Sequence, residues 1–501
     1  MSALSVPIIG LLMAVFVLIF LVLRTKVHAL LAMLIAACIA GITGGMSMDE
    51  TLSSITKGFG TTLGSIGIVI GLGVMMGRIL EVSGAAEQIA YSFIRWLGKQ
   101  REEWALAITG YLVSIPIFVD SAFVILYPVA KALAQKGQRS LITLGVALAG
   151  GLVVTHSAVP PTPGPLGVAG IFGVDIGAML LMGMLLAVPC VIGIVLYAQW
   201  LEKQNSLIAG DNPVSKDLQD TYQEYLQAKK NKPLPGLMRS LLPILVPILL
   251  ICIKAVLNTL TPITEEGSPV EMIVLQGFSF LGTPMIALGI STLLAVYTLI
   301  PHLDRHATAM RLEEGLQSAG IILMVTGAGG ALGAVVRDSG TGTQLAGQIA
   351  HLPISPVMLP FIVATLVRLI QGSGTVAMIT AASISAPILA QVPGVNLLFA
   401  AQGASMGSLF FSYFNDSLFW VVNRMMGIID AKRQMAIWSV PTTIAWAVGG
   451  TSIALLNLFF GSGGTVLDPL LPLLVLGIII LIVRQKSSLL PPAKSEIKMD
   501  I

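Results

Sequence analysis

The chain has 501 residues, 55% of them hydrophobic and 11% charged, with 52 glycines and a formal net charge of +3. No soluble domain of ordinary composition has this balance, and the scattered basic residues form no patch or arm, so nucleic acid is excluded and membrane lipid is the expected surroundings. Cys38, Cys190 and Cys252 each sit alone in an apolar run without metal-ligand spacing, so neither a metal nor a cofactor is expected.

Apolar runs long enough to cross a bilayer recur from end to end, roughly 11 to 14 of them depending on how broken segments are counted, and predict an all-α polytopic membrane protein. The first, Val6 to Leu23, has no basic residue before it and is followed by Arg24 and Lys26; it reads as a retained span, not a secretory signal. Basic residues collect in short cytoplasmic loops. That rule puts Arg24 and Lys26 inside, the Asp49 and Glu50 loop outside, and the turns carrying Arg95, Lys99, Arg101, Lys131, Lys136 and Arg139 inside. The hydrophilic stretch from Glu202 to Arg239 reads as a cytoplasmic linker between two halves. Beyond it, Leu241 to Leu257 leads out to Glu265, Glu266 and Glu271, while His302 to Arg311 and the C-terminal Arg484 and Lys486 return inside. The expected domains are a first transmembrane repeat at 1–201, the linker at 202–239, a second, inverted repeat at 240–460, and an additional helix with a cytoplasmic tail at 461–501.

The repeat shows in punctuation residues. Ser83-Gly84 matches Ser339-Gly340, 256 positions on; Gln88-Ile89-Ala90 matches Gln348-Ile349-Ala350, 260 on; Val188-Pro189 matches Val440-Pro441, 252 on. The first span runs inward and its counterpart, Leu241 to Leu257, outward, so the halves are inverted, an architecture that secondary transporters combine with broken helices. The paired Ser83-Gly84 and Ser339-Gly340 turns read as tips of re-entrant hairpins.

Each half also carries polar, helix-breaking residues inside an apolar run. Thr155-His156-Ser157 leads into Pro160, Pro161, Thr162, Pro163, Gly164 and Pro165, where four prolines in six residues remove amide donors and predict irregular backbone. At membrane depth such backbone survives only where protein buries it or a cavity solvates it, which makes it a candidate site lining. Asp120-Ser121 follows the helix-breaking Pro116. In the second half Gly372-Ser373-Gly374-Thr375 follows Arg368, with Ser373 lying 253 positions after Asp120, and Asn415-Asp416-Ser417 lies opposite Pro160 at the 256 offset. A broken helix exposes free amides and a positive half-dipole at its new N-terminus, which together bind a carboxylate. The expected substrate-binding set is Ser121, Thr155, His156, Ser157, Thr162, Gly372, Ser373, Gly374, Thr375, Asn415 and Ser417. Ionisable groups at depth are costly, which makes Asp120, Arg368, His156 and Asp416 functional candidates; Asp120, Asp416 and His156 are the candidates for proton coupling. No zincin His-Glu motif, nucleotide-binding glycine loop or serine-hydrolase elbow stands in a supporting context, which disfavours an enzyme.

His156-Ser157 running into Pro160-Pro161-Thr162-Pro163-Gly164-Pro165, with Phe118-Val119-Asp120-Ser121 before it, resembles the gluconate/proton permease (GntP) family over most of the chain. The resemblance implies a multi-pass gluconate:H+ symporter of the bacterial inner membrane, within the wider ion transporter superfamily. It implies inverted repeats, two re-entrant hairpins, a scaffold domain that forms a homodimer and a transport domain that moves as an elevator. Proton-coupled uptake of gluconate or a related small hydroxylated carboxylate is the expected function. The 202–239 linker departs from the more compact members, and short hydroxy acids and D-serine stand beside sugar acids as substrates. Sodium-coupled uptake is the alternative among transporters, and a passive channel the alternative from another class.

Overall fold

A computed structural model describes residues 6–25, 27–97, 101–137, 140–205, 234–260, 269–349 and 354–487, and all regular structure among them is helical. Lys26, Lys99, Arg139, Glu265, Glu266, residues 206–233 of the expected linker and the tail beyond Ser487 lie outside the described residues.

The chain opens with α1 (Val6–Arg24), α2 (Ala29–Thr43) and the long α3 (Met48–Val82). Then come α4 (Ala85–Leu97), the pair α5 (Glu102–Val113) and α6 (Val119–Gly137), the pair α7 (Leu141–Ala158) and α8 (Pro163–Phe172), and α9 (Ile176–Asn205). Helices α10 (Leu237–Leu260), α11 (Pro269–Leu281) and α12 (Pro284–Leu299) intervene. The earlier order recurs in α13 (Arg305–Asp338), α14 (Thr341–Ile349), the pair α15 (Leu359–Gln371) and α16 (Gly374–Leu389), and the pair α17 (Leu397–Gly407) and α18 (Ser417–Met425). Next, α19 (Ala431–Gln434) runs through a π turn at Met435–Ser439 into α20 (Val440–Phe460), and α21 (Leu467–Ser487) follows. The outer ends of the expected linker are thus helical: α9 extends to Asn205 and α10 begins at Leu237, and Glu202 accepts a hydrogen bond from the Ser140 N–H at 3.3 Å.

A capping box starts α3, with Ser47 Oγ accepting from the Glu50 N–H at 3.2 Å and Glu50 Oε2 accepting from the Ser47 N–H at 2.8 Å. Its 35 residues give about 52 Å of helix, well beyond a hydrocarbon core of ~30 Å. The 34-residue α13 lies antiparallel against it. Ser54 Oγ donates to Asp338 Oδ2 at 2.7 Å toward one end, and Arg78 Nη2 donates to Glu314 Oε2 at 2.8 Å toward the other. Small residues fill the seam between: a Cβ on Gly58 would sit 2.5 Å from the Ala334 Cβ, and one on Gly330 would sit 2.0 Å from Thr62 Oγ1. In lipid, where apolar contact with a neighbour gains little over contact with acyl chains, such close backbone approach is what holds helices together.

Among the described residues six helical segments are long and apolar enough to cross a bilayer, and α11 with α12, bent by 66°, makes a seventh if taken as one span. Helices α5, α15 and α17 have 12, 13 and 11 residues, about 16 to 20 Å each, and reach only part of the way across. Such short helices are why more apolar runs are legible in the sequence than there are full-length spans.

The proline stretch is irregular only at its centre. Residues up to Ala158 remain in α7, the break covers Val159 to Thr162 with a cis bond between Pro160 and Pro161, and Pro163 and Pro165 stand in the first turn of α8. Proline is tolerated there because first-turn amides have no acceptor within their own helix. The Ser83-Gly84 and Ser339-Gly340 turns end the two long helices, with φ of +80° at Gly84 and +71° at Gly340. They are not the tips of the short pairs. Those pairs turn at 114–118 and at Gly372-Ser373, where Pro116 and a left-handed Gly372 interrupt the helix, whereas nothing interrupts α3 or α13.

Helix α3 also touches the first of these turns, since a Cβ on Gly77 would fall 2.1 Å from the Pro116 carbonyl oxygen. Gly77→Ala must push the turn away, at a cost of about 1–3 kcal/mol. The apparent melting temperature of the detergent-purified variant should fall; an unchanged transition would mean that the turn is not seated on α3.

Candidate functional site

The inner ends of α6, α7, α15, α16 and α18 converge on one cavity of about 340 Å³, at the lower end of the ~300–1,000 Å³ usual for small-molecule sites. Its charged wall comes from the second half. Arg368, in the last turn of α15, is 5% exposed and donates from Nη2 to Asp416 Oδ2 at 2.5 Å. Its Nε–H is buried without a partner among the described residues. Asp416 is the N-cap of α18, with Oδ1 accepting from the Leu418 N–H at 3.2 Å and Oδ2 also accepting from the Ser412 hydroxyl. Ser412 is held in turn: its Oγ accepts from Trp438 Nε1 at 2.9 Å, its N–H donates to Thr442 Oγ1 at 3.1 Å, and its carbonyl accepts from Ser439 Oγ at 2.5 Å. The π turn carrying Trp438 and Ser439 thereby braces the ion pair from behind.

Gly372 closes α15 with φ +84°, and a Cβ there would strike the Asn415 carbonyl oxygen at 2.2 Å. No other residue meets both conditions without strain. The Tyr413 hydroxyl and, at 3.4 Å, Asn415 Nδ2 donate to the Leu369 carbonyl, tying the hairpin turn to the segment before α18. Ser373 then caps α16, its Oγ accepting from the Val376 N–H at 3.4 Å. The first residues of α16, Gly374 and Thr375, line the cavity, which turns the positive end of that helix toward it.

The first half supplies Asp120 from the opening turn of α6 and His156 and Ser157 from the end of α7. Asp120 Oδ1 and His156 Nδ1 are both buried without a partner among the described residues, and the His156 ring stands 5.9 Å from that of Phe118. The cavity therefore gathers Asp120, His156, Ser157, Gly372, Ser373, Gly374, Thr375, Asn415, Asp416 and Ser417. Three expected residues lie elsewhere. Thr155 is fully buried in α7, Thr162 donates to the carbonyls of His156 and Val159 at 2.9 and 2.6 Å, and Ser121 faces a neighbouring cavity of about 460 Å³ with Arg78, Glu81 and Glu314. One residue along a helix turns the side chain by about 100°, which is enough to separate Ser121 from Asp120. Ser408 and Thr442 line the cavity without any mark in the sequence, whereas Arg368 carried one, as a lone cation in an apolar run. Among the described residues no group of three His, Cys, Asp or Glu side chains could hold a metal.

Half-spans in pairs, unwound charged segments and a polar cavity inside an apolar helical bundle define an integral membrane transporter. Two solved transporters share the fold. The YdaH transporter of Alcanivorax borkumensis matches with a TM-score of 0.59 and 16% identity, covering 90% of this chain and 98% of its own. MtrF of Neisseria gonorrhoeae matches with a TM-score of 0.60 and 15% identity, over 89% and 99%. Sequence narrows the class: the chain belongs to the GntP family of permeases, whose sequence model matches residues 6–459. An uncharacterized permease of Haemophilus influenzae is 67% identical over 97% of this chain and 99% of the relative. A gluconate permease of Pseudomonas aeruginosa is 33% identical over 88% and 95%, and a high-affinity gluconate transporter of Escherichia coli 31% identical over 90% and 99%. The chain is a multi-pass membrane permease and not an enzyme.

Removing one member of a buried ion pair strands the other, at about 3–5 kcal/mol, whereas removing both costs less. Arg368→Met alone should therefore lower the apparent melting temperature more than Arg368→Met combined with Asp416→Asn. A double-variant loss equal to the sum of the two single losses would mean that the pair is not coupled.

Proposed function

We propose that this permease is a secondary transporter that takes up gluconate or a related small hydroxylated carboxylate together with a proton. The observation that carries the reading is a count of charge. The cavity holds two aspartates, Asp120 and Asp416, against one guanidinium, Arg368. An anionic substrate would set three negative groups against one positive, and a site removed from water sustains that only if a proton enters too. Asp120 is the carboxylate with an oxygen left unpartnered, so it is the group that takes the proton; Asp416 and His156 are the other titratable side chains of the cavity. Ser373, Gly374 and Thr375 offer amides to the substrate carboxylate, and Ser157, Asn415 and Ser417 offer partners to its hydroxyl groups. The relatives named as gluconate transporters support the substrate class. The protein sits in the bacterial inner membrane as a homodimer and works by alternating access, with the α3–α13 pair as the fixed part and the pairs α5–α6, α7–α8, α15–α16 and α17–α18 as the moving elevator.

Uptake of radiolabelled gluconate into proteoliposomes tests this. An inward proton gradient should drive accumulation above the outside concentration, a sodium gradient alone should not, and Asp120→Asn should abolish proton-driven accumulation. Accumulation driven by sodium would overturn proton coupling, flux without accumulation would mark a channel, and full accumulation by Asp120→Asn would remove that residue from the coupling step.

A further inference from the structure

Two carboxylates share this cavity, and their surroundings differ. Asp416 is held on three sides, by the Leu418 N–H, the Ser412 hydroxyl and Arg368, and Ser412 is itself anchored to the π turn and α20. Asp120 has a buried oxygen with no partner among the described residues. Arg368 lies between these extremes. Asp416 occupies one of its five N–H donors, its Nε–H is buried and unmatched, and the guanidinium lines the cavity. It also stands beside the positive end of α16: a Cβ on Gly374 would be 3.8 Å from Arg368 Nη1. A buried guanidinium with spare donors next to free helix amides is a receptor for a carboxylate.

We infer that Arg368, together with the α16 N-terminus, receives the carboxylate of the substrate, and that Asp416 is a positioning residue that fixes the guanidinium for this purpose. This rests on the sugar-acid reading above and divides the work of the site. The Arg368–Asp416 pair stays neutral and selects for an acid group, while Asp120 carries the proton. Arg368 on α15, Asp120 on α6 and His156 on α7 are the charged or titratable groups that line the cavity with Asp416. A neutral polyol of the same length gains nothing from the guanidinium, so selectivity for acids over polyols resides in Arg368.

Calorimetric titration of the detergent-purified protein with gluconate and with sorbitol, in buffers of different ionisation enthalpy, reads affinity and proton uptake together. Wild type should bind gluconate, reject sorbitol and take up a proton. The Arg368→Met/Asp416→Asn variant, which leaves no unpaired charge, should lose roughly 100-fold in gluconate affinity. Arg368→Lys, which keeps the charge without the planar fork, should lose roughly tenfold. Asp416→Asn should raise the KM for uptake with little change in maximal rate and retain proton uptake; Asp120→Asn should bind gluconate without it. Gluconate affinity within threefold of wild type in the double variant would overturn the assignment of Arg368 while leaving gluconate transport intact. If the double variant does not fold, unchanged affinity in Arg368→Lys overturns it instead. Loss of proton uptake in Asp416→Asn overturns the division between the two aspartates. Failure of wild type to bind any sugar acid overturns the underlying reading and this inference with it.

Discussion

Lipid offers the backbone no hydrogen bonds, and every departure from helix in this protein has to be answered by a side chain or a neighbouring segment. The answers are local and identifiable. The Gly372 N–H still reaches the Arg368 carbonyl at 3.0 Å while Tyr413 and Asn415 cover the Leu369 carbonyl. Thr162 Oγ1 bridges two carbonyls at the proline break. Ser373 and Asp416 each cap the helix that follows them. Each break therefore stays short, and the residues recruited to mend it are polar ones held at depth. The polar cavity and the interrupted helices are two views of the same constraint.

The ion pair obeys the same logic. A guanidinium and a carboxylate taken out of water lose more in hydration than their attraction returns unless the remaining donors and acceptors find partners. Asp416 has its partners in Ser412 and the Leu418 amide; Arg368 does not. The incompleteness lies on Arg368, a residue that lines the cavity. An unmatched donor on a residue that lines the cavity is the feature from which the anion-receiving role of Arg368 is inferred.

Much of this was legible in the residues alone. Apolar runs, proline and glycine punctuation and lone charges in apolar segments pointed to an all-helical membrane protein with broken helices, and brought Asp120, His156, Gly372 to Thr375 and Asp416 to one place. Proline counting overextended the first break, because a proline in a first helical turn costs nothing and Pro163 and Pro165 sit there. The Ser-Gly turns stand out in the sequence because they recur 256 positions apart, yet a glycine with positive φ ends a long helix there as readily as Gly372 turns a short pair. Thr162 stands in the break and turns its hydroxyl back to the carbonyls of His156 and Val159, whereas Ser121 and Thr155 are each one helix residue away from Asp120 and His156 and therefore point elsewhere. The web behind Asp416, formed by Ser412, Trp438 and Ser439, joins positions more than twenty residues apart and has no local signature.

The seam between α3 and α13 bears on how the molecule is able to move. Where Gly58 meets Ala334 and Gly330 meets Thr62, backbone lies nearly against backbone, with no layer of long side chains to repack. A slide by even one residue would bring a side chain to a spot that main chain already fills. Among the described residues the two longest helices are held in register at these points by close backbone approach. A slide of one long helix along the other is opposed there by main chain and short side chains, which have little room to turn aside.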